Sequence, residues 1–309
     1  METVSSVPVF ARRNVAYAGA TLCCLLWGSS YPAIKSGYEL FAIATDDIPS
    51  KIVFAGYRFL FARLLLLLFA MAQRKPIARL SQRQYGQIAF LGLTQTSIQY
   101  IFFYIGLAFT TGVKGSIMNA TGTFFSVLLA HLIYKNDRLS YNKSIGCVLG
   151  FAGVMLVNVN HSLMDFSFSA MGDGFVVLAA FILSASMLYG KRISQTVDPT
   201  VMTGWQLAFG GGVLVLGGYL TGGTLAVPDV KAAALLGYLT LLSSIAFALW
   251  SVLLKYNRVS MIAPFNFVIP VAGTVLSAIF LGENILEMKY AIALVLVCSG
   301  IWWVNKPKA

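Results

Sequence analysis

Ten apolar runs, most of them about 20 residues long, occupy most of this 309-residue chain. A helix of about 20 residues, rising about 1.5 Å per residue, crosses the hydrocarbon core of a bilayer. Because 58% of the residues are hydrophobic and 11% are charged, too few polar side chains are present to coat a water-soluble protein. The fold class is therefore predicted to be all-α and integral to the membrane. The predicted spans are 14–35, 52–71, 85–108, 113–134, 143–159, 173–190, 201–220, 232–254, 259–281 and 289–304.

One stretch of the chain, 96–158, recurs 147 residues later as 243–305. Paired amides deep inside two apolar runs are harder to obtain by chance than paired apolar residues. We therefore interpret the two stretches as an internal repeat. The polar and glycine pairs in the gap-free alignment are Ser97 with Ser244, Asn119 with Asn266, Gly153 with Gly300 and Asn158 with Asn305.

The repeat divides the chain into two halves, 1–160 and 161–309, with five predicted spans each. Because five is an odd number, the second half must cross the membrane in the opposite orientation to the first. Inverted repeats of this kind enclose a site near the bilayer midplane and alternate its access between the two sides. The longest connections are predicted at 36–51 and 160–172.

The distribution of Lys and Arg predicts the orientation of the spans. With the N-terminus inside, fifteen of these residues fall in cytoplasmic segments and five in outer ones. Short basic loops stay in the cytoplasm, so both termini are predicted to be cytoplasmic. The net charge of +11 follows from this asymmetry. Because the basic residues are scattered over separate short segments and form no continuous stripe, no nucleic-acid partner is predicted.

Local motifs resemble the EamA-type transporters of the drug/metabolite transporter superfamily, in an order that covers nearly the whole chain. The motifs are Leu26-Trp27-Gly28-Ser29-Ser30-Tyr31-Pro32 in the first span, Tyr57-Arg58 in the second, Trp205-Gln206 in the seventh and Gly282-Glu283 after the ninth. The resemblance implies a ten-helix basket in the bacterial inner membrane. It also implies a central cavity lined by spans one, three, four, six, eight and nine, with five and ten more peripheral.

Polar and aromatic side chains in those spans are the candidate substrate site, since polar groups in membrane helices favour the bundle interior or a wet cavity. An amide pairs with both carboxylate and ammonium groups, so Asn119 and Asn266 suit a zwitterion. Hydrogen bonding between helices is the alternative use of each amide and of the Ser and Thr hydroxyls. The candidate substrate-binding residues are Trp27, Ser30, Tyr31, Arg58, Gln95, Gln99, Tyr100, Asn119, Ser244, Phe247, Trp250 and Asn266.

Two arginines lie well inside the second span, Arg58 and Arg63. They are about 140° apart around a helix and cannot both face one site. For Arg58 the functional interpretation is contact with an anionic substrate group or closure of an outer gate. The structural interpretation is snorkelling or pairing with helix carbonyls.

Three further features each have two interpretations. Gly146 and Gly150 have the spacing of close helix contacts, within this chain or at a dimer seam. Pro264 and Pro270 predict a kink in the ninth span, either static or used in switching. The first span resembles a signal peptide in its basic start, but its length and Trp27 indicate that it is retained.

The sequence excludes several kinds of chemistry. No Asp or Glu lies in the core of any predicted span, which disfavours an antiporter that exchanges protons for cations at a buried carboxylate. The two His and four Cys residues have no ligand-type spacing, and no nucleophile and base form an evident pair. No metal, cofactor or enzymatic activity is predicted.

The favoured function is secondary transport by alternating access, with export or exchange of small metabolites. Amino acids, especially aromatic or hydrophobic ones, are the leading substrates. Multidrug or organic-cation efflux is the runner-up, and a non-transporting scaffold or sensor is the alternative from another class. The predicted partners are a small-molecule substrate and the lipid bilayer, and the chain is predicted to be a monomer or a weak homodimer.

Overall fold

The computed structural model describes residues 8–110, 115, 118–157, 168–226, 228–281 and 288–306, which form helices and contain no strand. The third helix contains a π-helical turn at Leu93–Ile98, and the ninth contains a 3-10 turn at Ala263–Phe267. Numbered in chain order, the helices are α1 (Arg13–Leu40), α2 (Ile48–Ala72), α3 (Gln82–Ala108), α4 (Met118–Ile133), α5 (Tyr141–Val157), α6 (Ala170–Ile193), α7 (Pro199–Leu220), α8 (Val230–Tyr256), α9 (259–281) and α10 (Met288–Val304).

Five of these helices, α2, α3, α6, α7 and α8, are long and apolar enough to cross a membrane. Shorter apolar helices lie within α4, α9 and α10. Many large apolar side chains face outward, including Leu132 (68% exposed) and Leu220 (78%). Helices with apolar outer surfaces are typical of a protein surrounded by lipid. The prediction of an all-helical membrane protein is confirmed at this level.

The connection between α1 and α2 is shorter than predicted. The sequence places it at 36–51, but α1 continues to Leu40 and α2 begins at Ile48. The rings of Tyr38 and Phe41 lie 5.8 and 5.1 Å from Phe54, so the polar-looking end of α1 is held by aromatic packing. The connection is therefore 41–47. The other predicted long connection, 160–172, falls mainly outside the described residues, as do Asn158 and the Gly282-Glu283 turn.

The principal helix contacts form matching sets when each helix is exchanged for the one five places along. The pair α2 with α7 and the pair α5 with α10 run along each other and map onto themselves. The contacts of α1 with α8 and α9 correspond to those of α6 with α3 and α4. The contact of α2 with α8 corresponds to that of α7 with α3.

Glycines permit the close approach of α5 and α10. A Cβ at Gly146 would lie 2.5 Å from the carbonyl oxygen of Gly300, and a Cβ at Gly300 would lie 2.6 Å from that of Gly146. A Cβ at Gly150 would meet the ring of Phe267 at 2.3 Å. The small-residue spacing of Gly146 and Gly150 therefore serves packing within this chain, the first of its two interpretations.

Candidate functional site

A cavity of about 870 Å³ lies inside the helical bundle. Its lining comes from α1, α2, α3, α4, α6, α8 and α9, and α5, α7 and α10 contribute no lining residue. The family resemblance predicts that six of these seven helices line the cavity, and the structure adds α2 to them. The exposed residues of the described lining are Tyr31, Lys35, Thr45, Asp46, Ala108 and Phe109, and the last five surround the opening of the cavity. We call this opening the rim, and the opposite end of the bundle, near Phe10 and residue 305, the terminal end.

The structure brings most of the predicted site residues to this cavity. The symmetry-related amides Asn119 and Asn266 both line it, although they are far apart in sequence. The predicted residues that line the cavity are Trp27, Ser30, Tyr31, Arg58, Gln99, Tyr100, Asn119, Phe247 and Asn266. Gln95 and Trp250 instead line a void of about 10 Å³ on the terminal side, which has room for one water at most.

Ser244 lies away from both spaces. Its hydroxyl donates to the carbonyl of Thr240 at 2.8 Å within α8 and to that of Ala62 at 3.3 Å across to α2. Ser244 therefore has the hydrogen-bonding role between helices that was the alternative to substrate contact. The neighbouring Ser243 contacts Arg58 instead. Adjacent positions of α8 thus face the buried Arg58 and the backbone of α2.

Arg58 is a buried cation at the cavity wall, with 2% of its surface exposed. Its Nε donates to Ser243 Oγ at 2.7 Å, and its guanidinium lies 4.9 Å from the centre of the Phe59 ring. Neither ion pair among the described residues includes it, and its two terminal nitrogens have no hydrogen-bond partner there. Arg63 points elsewhere, over the ring of Trp205 at 5.6 Å. Arg58 therefore has free donors at a site that it lines.

Other polar atoms of the cavity also lack partners. Gln99 Oε1, Thr123 Oγ1 and Asn266 Oδ1 are buried and have no hydrogen bond to any described residue. Buried polar atoms are nearly always satisfied by protein, water or ligand, so these oxygens are available to a bound molecule. Among the described residues, the charged residues of the lining are Lys35, Lys51, Arg58 and Asp46. This excess of three cations over one acid favours anionic groups.

Aromatic rings form the floor between the cavity and the terminal end. The Trp27 ring lies 5.6 Å from that of Phe247 and 5.1 Å from that of Trp250, both edge to face. Phe59 lies 5.0 Å from Tyr100 and 5.9 Å from Phe247. Edge-to-face aromatic pairs are favourable arrangements. The floor provides an apolar surface for the non-polar part of a ligand.

Beyond this floor, a polar network centred on Asp137 closes the terminal end. Asp137 accepts hydrogen bonds from Lys143 Nζ at 2.8 Å, from the Ser260 amide at 3.0 Å and from the Ser260 hydroxyl. Burial raises the pKa of Asp137, but the hydrogen bonds from Lys143 and Ser260 outweigh it and place that pKa below its ordinary value. The charged carboxylate thus joins the connection after α4 to the start of α9.

The sequence interpretation missed several lining residues, including Lys35, Tyr38, Lys51 and Tyr104. Tyr104 lies one turn after Tyr100 and shares its face, so helical periodicity could have identified it. Tyr38 and Lys51 belong to helix ends that were assigned to the connection 36–51, whereas Lys35 is the last residue of the predicted first span, 14–35. Among the described residues, no group of three or more His, Cys, Asp or Glu residues could hold a metal.

Comparisons with known proteins give a consistent result. The sequence profile of the EamA-like transporter family matches residues 14–159 and 170–306. An uncharacterized transporter of Archaeoglobus fulgidus is 26% identical over 268 residues, which are 85% of this chain and 88% of the relative. A probable amino-acid metabolite efflux pump of Salmonella typhimurium is 26% identical over 296 residues, 92% of each chain. One solved crystal structure, 18% identical, shares the fold with a TM-score of 0.80 and covers 95% of this chain and 97% of its own.

Proposed function

This chain belongs to the EamA-like transporter family, and from that premise we propose that it exports or exchanges small metabolites by alternating access. The observation that carries the proposal is the cavity of about 870 Å³, which is open at the rim and closed by the aromatic floor and the Asp137 network at the terminal end. A central site open to one side at a time is the arrangement that alternating access requires.

We further propose ten membrane-spanning helices in two inverted repeats, 1–160 and 161–309. The two separate matches to the family profile and the matching sets of helix contacts support the repeats. The charge asymmetry of the loops supports cytoplasmic termini and, for a bacterial protein, location in the inner membrane. In that orientation the rim faces outward, so this conformation is outward-open.

The substrate class that fits the cavity is a small molecule with a carboxylate and an apolar or aromatic part, such as an aromatic amino acid. The free donors of Arg58 suit the carboxylate, because Arg pairs with carboxylates in a two-bond geometry. The oxygens of Gln99 and Asn266 suit an ammonium group. The floor around Trp27 and Phe247 suits the side chain. The name of the Salmonella relative, an amino-acid metabolite efflux pump, points to the same class.

Transport rather than catalysis is proposed, since the described residues of the cavity lining contain no nucleophile hydrogen-bonded to a base. Organic cations fit less well, because Lys35, Lys51 and Arg58 outnumber Asp46 around the cavity. The chain is proposed to act as a monomer or weak homodimer without nucleic acid. A scaffold or sensor role would leave the cavity without a transported ligand.

Counterflow in proteoliposomes tests the proposal. A panel of amino acids, purine nucleosides, organic anions and lipophilic cations is measured with and without a proton gradient. We expect counterflow of an aromatic amino acid that needs no gradient. Movement of cations alone, and only with the gradient, would instead identify an efflux pump for cations. If no solute in the panel moves, the transport proposal is wrong and the scaffold role is favoured.

A further inference from the structure

Lys191, near the end of α6, holds the terminal end of the bundle together. Its Nζ donates to the backbone carbonyls of Leu254 and Asn257, the latter at 2.6 Å. Leu254 is in the last turn of α8 and Asn257 is its C-cap. The last C=O groups of a helix have no partner inside it, and the helix dipole favours a cation there. Lys191 also lines the void of about 10 Å³ beneath the aromatic floor. It therefore ties α6 to the end of α8 where the path is shut.

Lys35 has the equivalent position in the first half of the chain. Lys35 and Lys191 each lie 21 positions after the first residue of their match to the family profile, residues 14 and 170. In the gap-free alignment of 96–158 with 243–305, Leu107 is the counterpart of Leu254. The helix pair that Lys191 joins, α6 and α8, corresponds to α1 and α3.

Lys35 makes none of the bonds that its counterpart Lys191 makes to described residues. Lys35 and Leu107 line the same cavity near its rim, at the ends of α1 and α3. Lys35 is exposed, and within the part of the chain that the structure describes it makes no hydrogen bond or ion pair. No described side chain donates to the carbonyl of Leu107. Among the described residues, Lys35 Nζ makes no hydrogen bond and no side chain donates to the Leu107 carbonyl, and both lie at the end of the bundle that is open.

We infer that Lys35 and Lys191 are paired latches that close the two ends of the path in alternation. When the rim closes, Lys35 donates to the last carbonyls of α3, at Leu107 and its neighbours, as Lys191 now donates to those of α8. Release of Lys191 accompanies that change. The inference rests on the proposed alternating access, and it assigns to each end one lysine and one set of helix-terminal acceptors.

The test measures the opening of the rim directly. Spin labels are placed at Thr45→Cys and Phe109→Cys, both exposed on the rim, after replacement of the exposed Cys298 by Ser; Cys23, Cys24 and Cys147 are buried. Pulsed electron paramagnetic resonance in nanodiscs then gives the populations with a long and a short distance. This measurement needs no substrate and does not depend on which end faces the cytoplasm.

Removal of one latch should shift the populations, and removal of both should restore them. A charge-assisted hydrogen bond is strong enough to change an equilibrium roughly tenfold. We therefore expect Lys191→Gln to raise the ratio of closed-rim to open-rim molecules about tenfold, and the added Lys35→Gln to reverse that rise. Lys191→Arg should keep the wild-type ratio. The matched control is Lys255→Gln, because Lys255 is at the same end of α8 but its ammonium makes no hydrogen bond to a described residue of α6.

Two outcomes overturn the inference. Either Lys191→Gln leaves the ratio at the wild-type value, or the double variant keeps the ratio of Lys191→Gln. If Lys191→Gln does not fold, the pair Lys35→Cys and Leu107→Cys provides a second test, since position 35 is exposed. Oxidation should cross-link this pair and shorten the rim distance, and failure to cross-link contradicts the closed-rim contact. If the lysine variants change the ratio of closed-rim to open-rim molecules as expected but no solute shows counterflow, the proposed transport is refuted and the role of the two lysines is still supported.

Discussion

Replacement of Arg58 by Gln should separate substrate binding from fold stability. Arg58 is 2% exposed, and its one hydrogen bond to a described residue is to Ser243 Oγ. Two charge-assisted bonds to a carboxylate contribute about 3–6 kcal/mol, so affinity for an amino acid should fall at least about 100-fold. An unpaired Arg inside a membrane helix costs about 2.5–3.5 kcal/mol. The variant should therefore be as stable as the wild type or more stable.

The assay compares phenylalanine with phenylalanine amide, which lacks the carboxylate. Wild-type protein should bind phenylalanine far more tightly than the amide, and Arg58→Gln should bind the two equally weakly. Thermal unfolding in the same detergent gives the stability. Arg63→Gln is the matched control, because this arginine is in the same helix but lies over Trp205. Arg58→Gln with unchanged discrimination, or with a loss of stability as large as its loss of binding energy, would refute the reasoning.

Three further changes have expected outcomes. Asp137→Asn should lower the free energy of unfolding by about 1–3 kcal/mol at neutral pH. Because its partners lower the pKa of Asp137, the wild type should lose this advantage in unfolding free energy as the pH falls and the carboxylate is protonated. Melting curves of both proteins over a series of pH values measure this change. Gly300→Ala places a Cβ 2.6–2.7 Å from backbone atoms of α5, so it should lower the free energy of unfolding by about 1–3 kcal/mol. Gly237→Ala has no described atom within 4 Å of the new Cβ, so its free energy of unfolding should not fall. Equal melting temperatures for the two variants would contradict this. Asn266→Ala removes a buried oxygen that has no hydrogen bond to a described residue, so counterflow should fall while the melting temperature stays the same. Asn305→Ala, which loses a 2.9 Å hydrogen bond to a carbonyl, should lower the melting temperature instead.

The helices were predictable because about 20 apolar residues in a row leave few alternatives in a chain of this composition. The error at the end of α1 has a simple cause. Residues 36–40 contain Ser36 and Glu39 and read as a connection, but Tyr38 packs on Phe54 from α2. Contacts between distant segments are absent from a local pattern. The omission of Tyr38 and Lys51 from the predicted site follows from the same error.

The sequence predicts most of the helices that line the cavity, but not which residues along each helix reach it. Helical periodicity gives a face of about 100°, so it cannot separate Ser243, which contacts Arg58, from Ser244, which bonds to Ala62. Periodicity also gives no position along the membrane normal. Gln95 and Trp250 were assigned to the correct helices but lie on the terminal side of the aromatic floor. Only the packing of the floor decides which residues a ligand can reach.

Modification of the cavity tests the central proposal, passage of substrate through this space, most directly. Leu183, half-buried in the cavity wall on α6, is replaced by Cys in the Cys298→Ser background and labelled with a bulky, membrane-impermeant maleimide from the rim side. Phenylalanine counterflow is measured before and after labelling. We predict that labelling abolishes counterflow and that excess phenylalanine slows labelling. Full counterflow through the labelled protein, with no protection by phenylalanine, would show that the substrate takes another route.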